Sequence, residues 1–331
     1  MALRYWLMCL GTTYVAALSC KPWFSSTESI PKEATREALQ EPQRWTPLDE
    51  LLSAAAQRAL EECDSPKPQG GILWASLIDL GDPRLPKLAS YRGNEKVYPA
   101  SVIKAFYMVA ALYQVQQGML RLDRALRRDL ELMIAISDNQ ATNRIVDRLT
   151  NTTSGDSLDG SAFEEFAYKR GWMNRYFRSI GFDSVNACQK TWDGDPYGRD
   201  LQLLGQPTGL NYLNSNKLTT DETALPLYLI DQRKVVSRRA CAAMLKLMRR
   251  EPDPDEQFLA GVLPKGARLW SKQGLVDSKR HDAGIVQLPN GARFILVVFT
   301  DKSAGDCDLL RRFARKVVSY YAGENSARDG D

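Results

Sequence analysis

An extended run that stops at Pro99, with a helical pattern beginning immediately after it, sets the tightest constraint on this 331-residue chain. Ile103, Phe106, Tyr107, Ala110, Ala111 and Tyr113 recur at helical spacing until Gly118, which predicts a mostly buried helix. Ser101 falls in its first turn. Lys104, three residues on, shares that face and can reach the hydroxyl. The N–H groups of a first turn lack intrahelical partners and make an electropositive end. Tyr98 to Lys104 therefore gathers a hydroxyl, an amine and oriented N–H donors within seven residues.

Taken alone the spacing proves little. Serine is a common N-cap, and a lysine near a helix start is usually solvated. The chain holds 22 Ser and 16 Lys, so about one Ser-x-x-Lys is expected by chance. Two occur. Ser29-Ile30-Pro31-Lys32 lies in a polar, proline-interrupted stretch with no apolar helix behind it, and reads as the chance copy.

Composition bounds the rest. The chain is 44% hydrophobic and 25% charged, an ordinary globular balance long enough for one large domain or two lobes. A formal charge of +4 gives no reason to expect a nucleic-acid partner. Six Cys without a C-x-x-C pair, and one His, exclude most zinc hydrolase sites, and no metal or cofactor is expected. A Ser-His-Asp triad would have to recruit His281. Residues 1–20 read as an export signal, with Arg4 as the charge and Tyr5 to Leu18 as the apolar core. Ala17-Leu18-Ser19-Cys20 resembles the cleavage box of bacterial lipoproteins, making Cys20 a lipidation candidate. The expected location is the periplasm, with membrane anchoring through Cys20 and a monomeric state. Export permits disulfides among Cys63, Cys188, Cys241 and Cys307, whose pairing spacing cannot give.

Residues 21–46 lack periodicity and read as a flexible tether, and 323–331 as a disordered tail. Helices are expected over 48–62, 122–136, 141–149, 219–230, 238–249 and 309–321, with a partly helical stretch over 163–180. Strands are expected over 70–80, 87–92, 268–274, 284–288 and 294–300, with Pro289-Asn290-Gly291 as a hairpin turn. Residues 181–216 read as a long loop, a kind that is usually functional or disordered. Strands at both ends and helices between predict an α/β (α+β) two-lobed chain. One lobe, 47–97 with 256–322, is an antiparallel sheet flanked by helices; the other, 98–255, is all-helical. The Ser101 helix lies at their junction, where pockets form.

Two further strings carry chemistry. Ser137-Asp138-Asn139, between two expected helices, is an ordinary helix stop and N-cap, yet supplies a second hydroxyl and an amide. Lys272-Gln273-Gly274, on an expected strand, supplies a second cation able to lower the proton affinity of Lys104, and a glycine that lets a substrate backbone come close.

S-x-x-K, then S-D-N, then K-x-G, in this order and on these elements, resembles the signature of class A β-lactamases and penicillin-binding proteins. Met133 to Asn143 resembles the class A stretch, Lys217 to Ala224 the Thr-rich start of a later family helix, and Asp282-Ala283-Gly284-Ile285-Val286 the strand after K-T-G. The resemblance spans roughly residues 47–322. It implies a serine hydrolase of β-lactamase-like fold, without cofactor, acting on a β-lactam or a peptidoglycan peptide. Ser101 would be the acylated nucleophile and Lys104 its neutral base. The N–H groups of Ser101 and Leu275 would form the oxyanion hole. Ser137 would protonate the leaving nitrogen, and Asn139, Lys272, Gln273 and Gly274 would hold the substrate. The family sheet would also bring Cys63 near Cys307, implying a disulfide.

Two departures stand out. Gln273 replaces the threonine of K-T-G, which weakens the expectation of carboxylate recognition. The E-x-x-L-N string that supplies the deacylating glutamate is absent; Val185 to Asp193 resembles the approach to it and puts Asp193, one methylene shorter, at the glutamate's place. Efficient turnover, a slow-deacylating penicillin-binding protein or peptidase, and a non-catalytic peptidoglycan-binding lipoprotein all remain open at this level.

Overall fold

The computed structural model describes residues 42–63, 72–82, 84–205, 207–208, 211–301 and 308–323. The expected export signal, Cys20, Cys307 and the tail from residue 324 lie outside them. In chain order, β1 (Gln43–Arg44) leads into α1 (Thr46–Glu61), β2 (Leu73–Asp79), β3 (Lys87–Tyr91), a 3-10 turn (Ala100–Val102) and α2 (Ile103–Gln116). Then come α3 (Arg124–Ala135), α4 (Asn139–Thr150), α5 (Gly160–Arg170), α6 (Trp172–Ser179), α7 (Gly198–Leu204), the strand pair β4 (Pro207–Thr208) and β5 (Asn211–Tyr212), α8 (Thr220–Asp231) and α9 (Arg238–Met248). β6 (Arg249–Arg250), a 3-10 turn (Leu259–Val262), β7 (Arg268–Val276), β8 (Lys279–Gln287), β9 (Arg293–Thr300) and α10 (Leu309–Ala322) complete the order.

The main sheet runs β1-β3-β2-β9-β8-β7-β6. Every pairing is antiparallel except β1 with β3, which is parallel, so the expected antiparallel sheet carries one parallel edge strand. It also reaches past the expected lobe limits. Gln43 and Arg44, read as tether, pair with Lys87 and Leu88; Arg249, read as helix end, and Arg250, read as part of the helical lobe, pair with Trp270 and Leu269.

Both faces of the sheet are covered, which explains why β9 is an unbroken apolar run. Phe294, Leu296 and Val298 face a core shared with Leu52 of α1 and Phe313 and Val317 of α10. Ile295, Val297 and Phe299 face the helical lobe, joining Phe106, Ile145 and Phe177. Alternation disappears when neither face meets water. For the same reason α2 is apolar around nearly its whole circumference. An all-round buried helix fixes the position of its own first turn.

The long loop expected over 181–216 contains structure: α7 and the β4–β5 pair lie within it. Arg170, fully buried, donates to Asp200 of α7 at 2.7 Å and to Thr152 Oγ1 at 2.7 Å. Cys63 is disulfide-bonded, whereas Cys188 and Cys241 are buried free thiols.

Candidate active site

The turn at Ser101 is held from three sides. Ala100 sits at φ 46°, a left-handed conformation that strains a residue with a Cβ. Val102 N–H donates to Pro99 O at 3.1 Å, closing the turn. His281, fully buried on β8, contacts Tyr98 O through Nε2 at 3.0 Å and accepts from Thr300 N–H through Nδ1 at 3.1 Å. Acceptance at Nδ1 puts the proton on Nε2, and burial pushes the imidazole down to about 4, so it is neutral. His281 therefore braces the peptide before the nucleophile turn and does not pair with Ser101. The third brace is β7. A Cβ built on Gly274 would stand 2.9 Å from Pro99 O and 3.2 Å from Ser101 N, so only glycine lets the strand lie this close. Leu275, next along β7, has an exposed side chain.

Ser137 occupies the short link between α3 and α4, at φ 62°. Asp138 caps α4 by accepting from Ala141 N–H, and Asp138 N–H donates to Leu132 O at 3.1 Å. The ordinary helix-stop role of this string and the turning of Ser137 towards the lysines thus coexist in one link.

Lys104 and Lys272 are both fully buried and meet at Ser137. Lys104 Nζ lies 3.1 Å from Ser137 Oγ, and donates to Ser137 O and Asn139 Oδ1, each at 2.6 Å. Lys272 Nζ lies 3.0 Å from Ser137 Oγ and donates to Gln273 O at 2.7 Å. Burial lowers both amines. Lys104 comes down to about 8, with Asp138 and Asp193 opposing the fall. Lys272 drops further below the ordinary lysine value, burial being joined by like charge from Lys104 and Arg250. Among the described residues Ser101 Oγ makes no hydrogen bond; the direct Lys104–Ser101 contact expected from helical spacing is replaced by the Lys104–Ser137–Lys272 chain.

Asp193 is brought to the same place from the 181–216 segment. Asn139 Nδ2 donates to Asp193 Oδ1, and Gln140 Nε2 donates to Oδ2 at 3.2 Å. The backbone leading to it is pinned: Tyr107 OH donates to Gln189 O at 2.6 Å, Lys190 Nζ to Asp147 at 2.7 Å, and Thr191 N–H to Asn143 Oδ1 at 2.9 Å. Gln273 holds a buried Nε2 with no hydrogen-bond partner. Such an atom is costly unless something supplies an acceptor.

The fold thus brings together Ser101, Lys104, Ser137, Asn139, Asp193, Lys272, Gln273, Gly274 and Leu275. Two residues that matter here escape the sequence reading. His281 was legible only as a lone histidine. Arg250 of β6 donates to Ile134 O at 3.0 Å and Ala135 O at 3.2 Å, tying the sheet edge to the α3 terminus just before Ser137. No pattern marks it, because its role depends on a two-residue strand pairing.

Comparison with known proteins bears on the family and the fold. The model of the beta-lactamase enzyme family matches residues 55–129 and 125–321. No curated protein matches the chain. Among solved structures, a β-lactamase from Chitinophaga pinensis superposes with TM-score 0.60 at 21% identity, covering 82% of this chain and 100% of the other. A β-lactamase from Sphaerobacter thermophilus gives 0.59 at 20%, covering 82% and 97%. A mutant of PBP-A, solved as an acyl-enzyme complex with penicillin G, gives 0.59 at 23%, covering 87% and 100%.

Proposed function

The chain belongs to the beta-lactamase enzyme family, and from that premise we propose that it is a serine hydrolase acylated at Ser101 by the amide carbonyl of a β-lactam. The observation that carries this reading is the convergence of Lys104 and Lys272 on Ser137 Oγ, beside the braced Ser101 turn. Lys104, with its amine lowered to about 8, takes the Ser101 proton when it is neutral, directly or through a water. The carbonyl oxygen gathers negative charge as Ser101 Oγ adds, and the N–H groups of Ser101 and Leu275 receive it. Ser137, in contact with both amines, passes a proton to the departing ring nitrogen, and the C–N bond breaks. Asn139 and Lys272 hold the substrate. The unpartnered Gln273 Nε2 takes a substrate oxygen where relatives of this family use a threonine hydroxyl.

The acyl ester then needs a water. Asp193 serves as its base in this reading, supported by the hydrogen bonds that Asn139 and Gln140 donate to its carboxylate. Each oxygen accepts one of these bonds and keeps a second lone pair for a water, but aspartate is one methylene shorter than the glutamate of the family pattern and reaches that water less well. This favours deacylation as the slow step, and gives the second reading, a penicillin-binding protein whose acyl-enzyme persists. The penicillin acyl-enzyme seen for the PBP-A mutant is the intermediate both readings share. The substrate, β-lactam or peptidoglycan peptide, would be met outside the cytoplasm, in keeping with the expected export signal.

A fluorescent penicillin tests this. Label that appears on wild type and decays over minutes supports hydrolysis; label that persists supports the second reading. Equal labelling of wild type and Ser101→Ala contradicts both.

A further inference from the structure

The solvent face of α3 carries a cation cluster that the crevice does not use. Two of the acids on this helix are committed elsewhere. Asp123 caps α3 through Leu126 N–H and faces Arg148, while Asp129 holds Arg144 at 2.7 Å. The guanidinium groups of Arg124, Arg127 and Arg128 are exposed and make no ion pair or hydrogen bond among the described residues. Glu131 stands at helical spacing from Arg127 and Arg128 and forms no ion pair with either; with the cations N-terminal to the acid, this is the weaker orientation for such a pair.

Two hollows flank this row. One, of about 540 Å³, is lined by Arg124, Arg127, Arg128, Glu131, Leu132 and Ile136. The other, of about 420 Å³, lies between α2, α3 and α9; Leu112, Leu122, Leu130 and Leu247 line it together with Arg127 and Lys246. Arg127, Glu131 and Ala135 border both. Volumes of a few hundred cubic ångströms suit small ligands. Neither hollow includes a residue of the crevice.

We propose that this face binds an amphiphilic phosphate monoester, its head among Arg124, Arg127 and Arg128 and its apolar body in the leucine-lined hollow. A guanidinium fork matches phosphate oxygens in pairs, and a dianion satisfies more than one arginine where a single carboxylate would not. Leucines beside an unpaired arginine and a lysine offer a two-part surface that neither a bare anion nor a neutral hydrocarbon fills. A flat, purely electrostatic partner such as nucleic acid would have no use for the apolar hollow. The site is independent of the Ser101 chemistry and does not rest on it.

Isothermal titration of the full chain with decyl phosphate, below its micelle concentration, tests the proposal, with inorganic phosphate and 1-decanol as the head and tail alone. One-to-one binding at least tenfold tighter than either part is expected. The Arg124→Gln/Arg127→Gln/Arg128→Gln variant, altered only at exposed positions, weakens it at least tenfold. Ala243→Trp, which fills the leucine-lined hollow from its exposed rim, weakens it independently. Absence of saturable binding, equal affinity for inorganic phosphate, or binding unchanged in both variants overturns the proposal. So does a duplex DNA that competes fully with decyl phosphate in wild type and in Ala243→Trp alike.

Discussion

Lys104 and Lys272 share one hydroxyl, at 3.1 and 3.0 Å, and two buried ammonium groups on one acceptor repel each other. The expected lowering of Lys104 by Lys272 is not what the site shows: burial brings Lys104 down, and the charge of Lys104 adds to burial in lowering Lys272. With Lys104 lowered to about 8, only a minority is neutral at pH 7. A base works in its deprotonated form, so the acylation rate constant should rise with pH, approaching tenfold per unit below about 8, and level off above it. Stopped-flow acylation by a chromogenic β-lactam from pH 6 to 10 measures this; a rate that falls across pH 7 to 9 contradicts the assignment. Lys104→Arg retains the charge but cannot give up a proton, and should lower acylation by about 10² to 10⁴ without unfolding the chain, as circular dichroism would check.

At the scale of elements, the crevice is made by three close approaches: the 3-10 turn against β7, the α3–α4 link against both lysines, and the 189–193 stretch against α4. The first depends on Gly274. A methyl there meets Pro99 O and Ser101 N, which are backbone atoms and cannot swing away. Gly274→Ala should therefore cost about 1–3 kcal/mol in stability and suppress acylation more than that loss accounts for, read by urea denaturation beside penicillin labelling. The motif strings were legible because each is a local geometry, a turn, a cap or a strand, written in residues that favour it. The structure inside the expected 181–216 loop was not. α7 is seven residues long, too short for its apolar spacing to stand out, and it is fixed by the buried Arg170–Asp200 pair, thirty residues apart in the chain. Arg170→Met leaves Asp200 buried without its partner and should cost about 3–5 kcal/mol. Adding Asp200→Leu should recover part of this in chemical denaturation; a double variant no more stable than the single would contradict a penalty due to the orphaned carboxylate.

Across the whole molecule, the sheet works as a partition with a different core on each side. The face towards α1 and α10 packs an apolar core of Leu52, Phe313 and Val317, with Asp282 buried at its edge accepting from Leu259 N–H. The other faces the helical lobe, and the crevice lies where β7 meets the start of α2. This layering was legible from the order of strands and helices. The sheet's outermost strands were not, since β1 and β6 have two residues each and exist only through their neighbours. Cys63, just past α1, is disulfide-bonded; Cys63→Ser should lower stability by about 2–4 kcal/mol while leaving penicillin labelling at 25 °C intact, because Cys63 packs against the core on the α1 and α10 side of the sheet. The account as a whole rests on the alcohol of Ser101 accepting an acyl group, and intact-protein mass spectrometry reads that directly. After brief exposure to penicillin G and acid quench, wild type should gain the mass of one penicillin, mapped by peptide sequencing to Ser101, and Ser101→Ala should gain nothing. An unmodified wild type, or an adduct carried equally by Ser101→Ala, would contradict it.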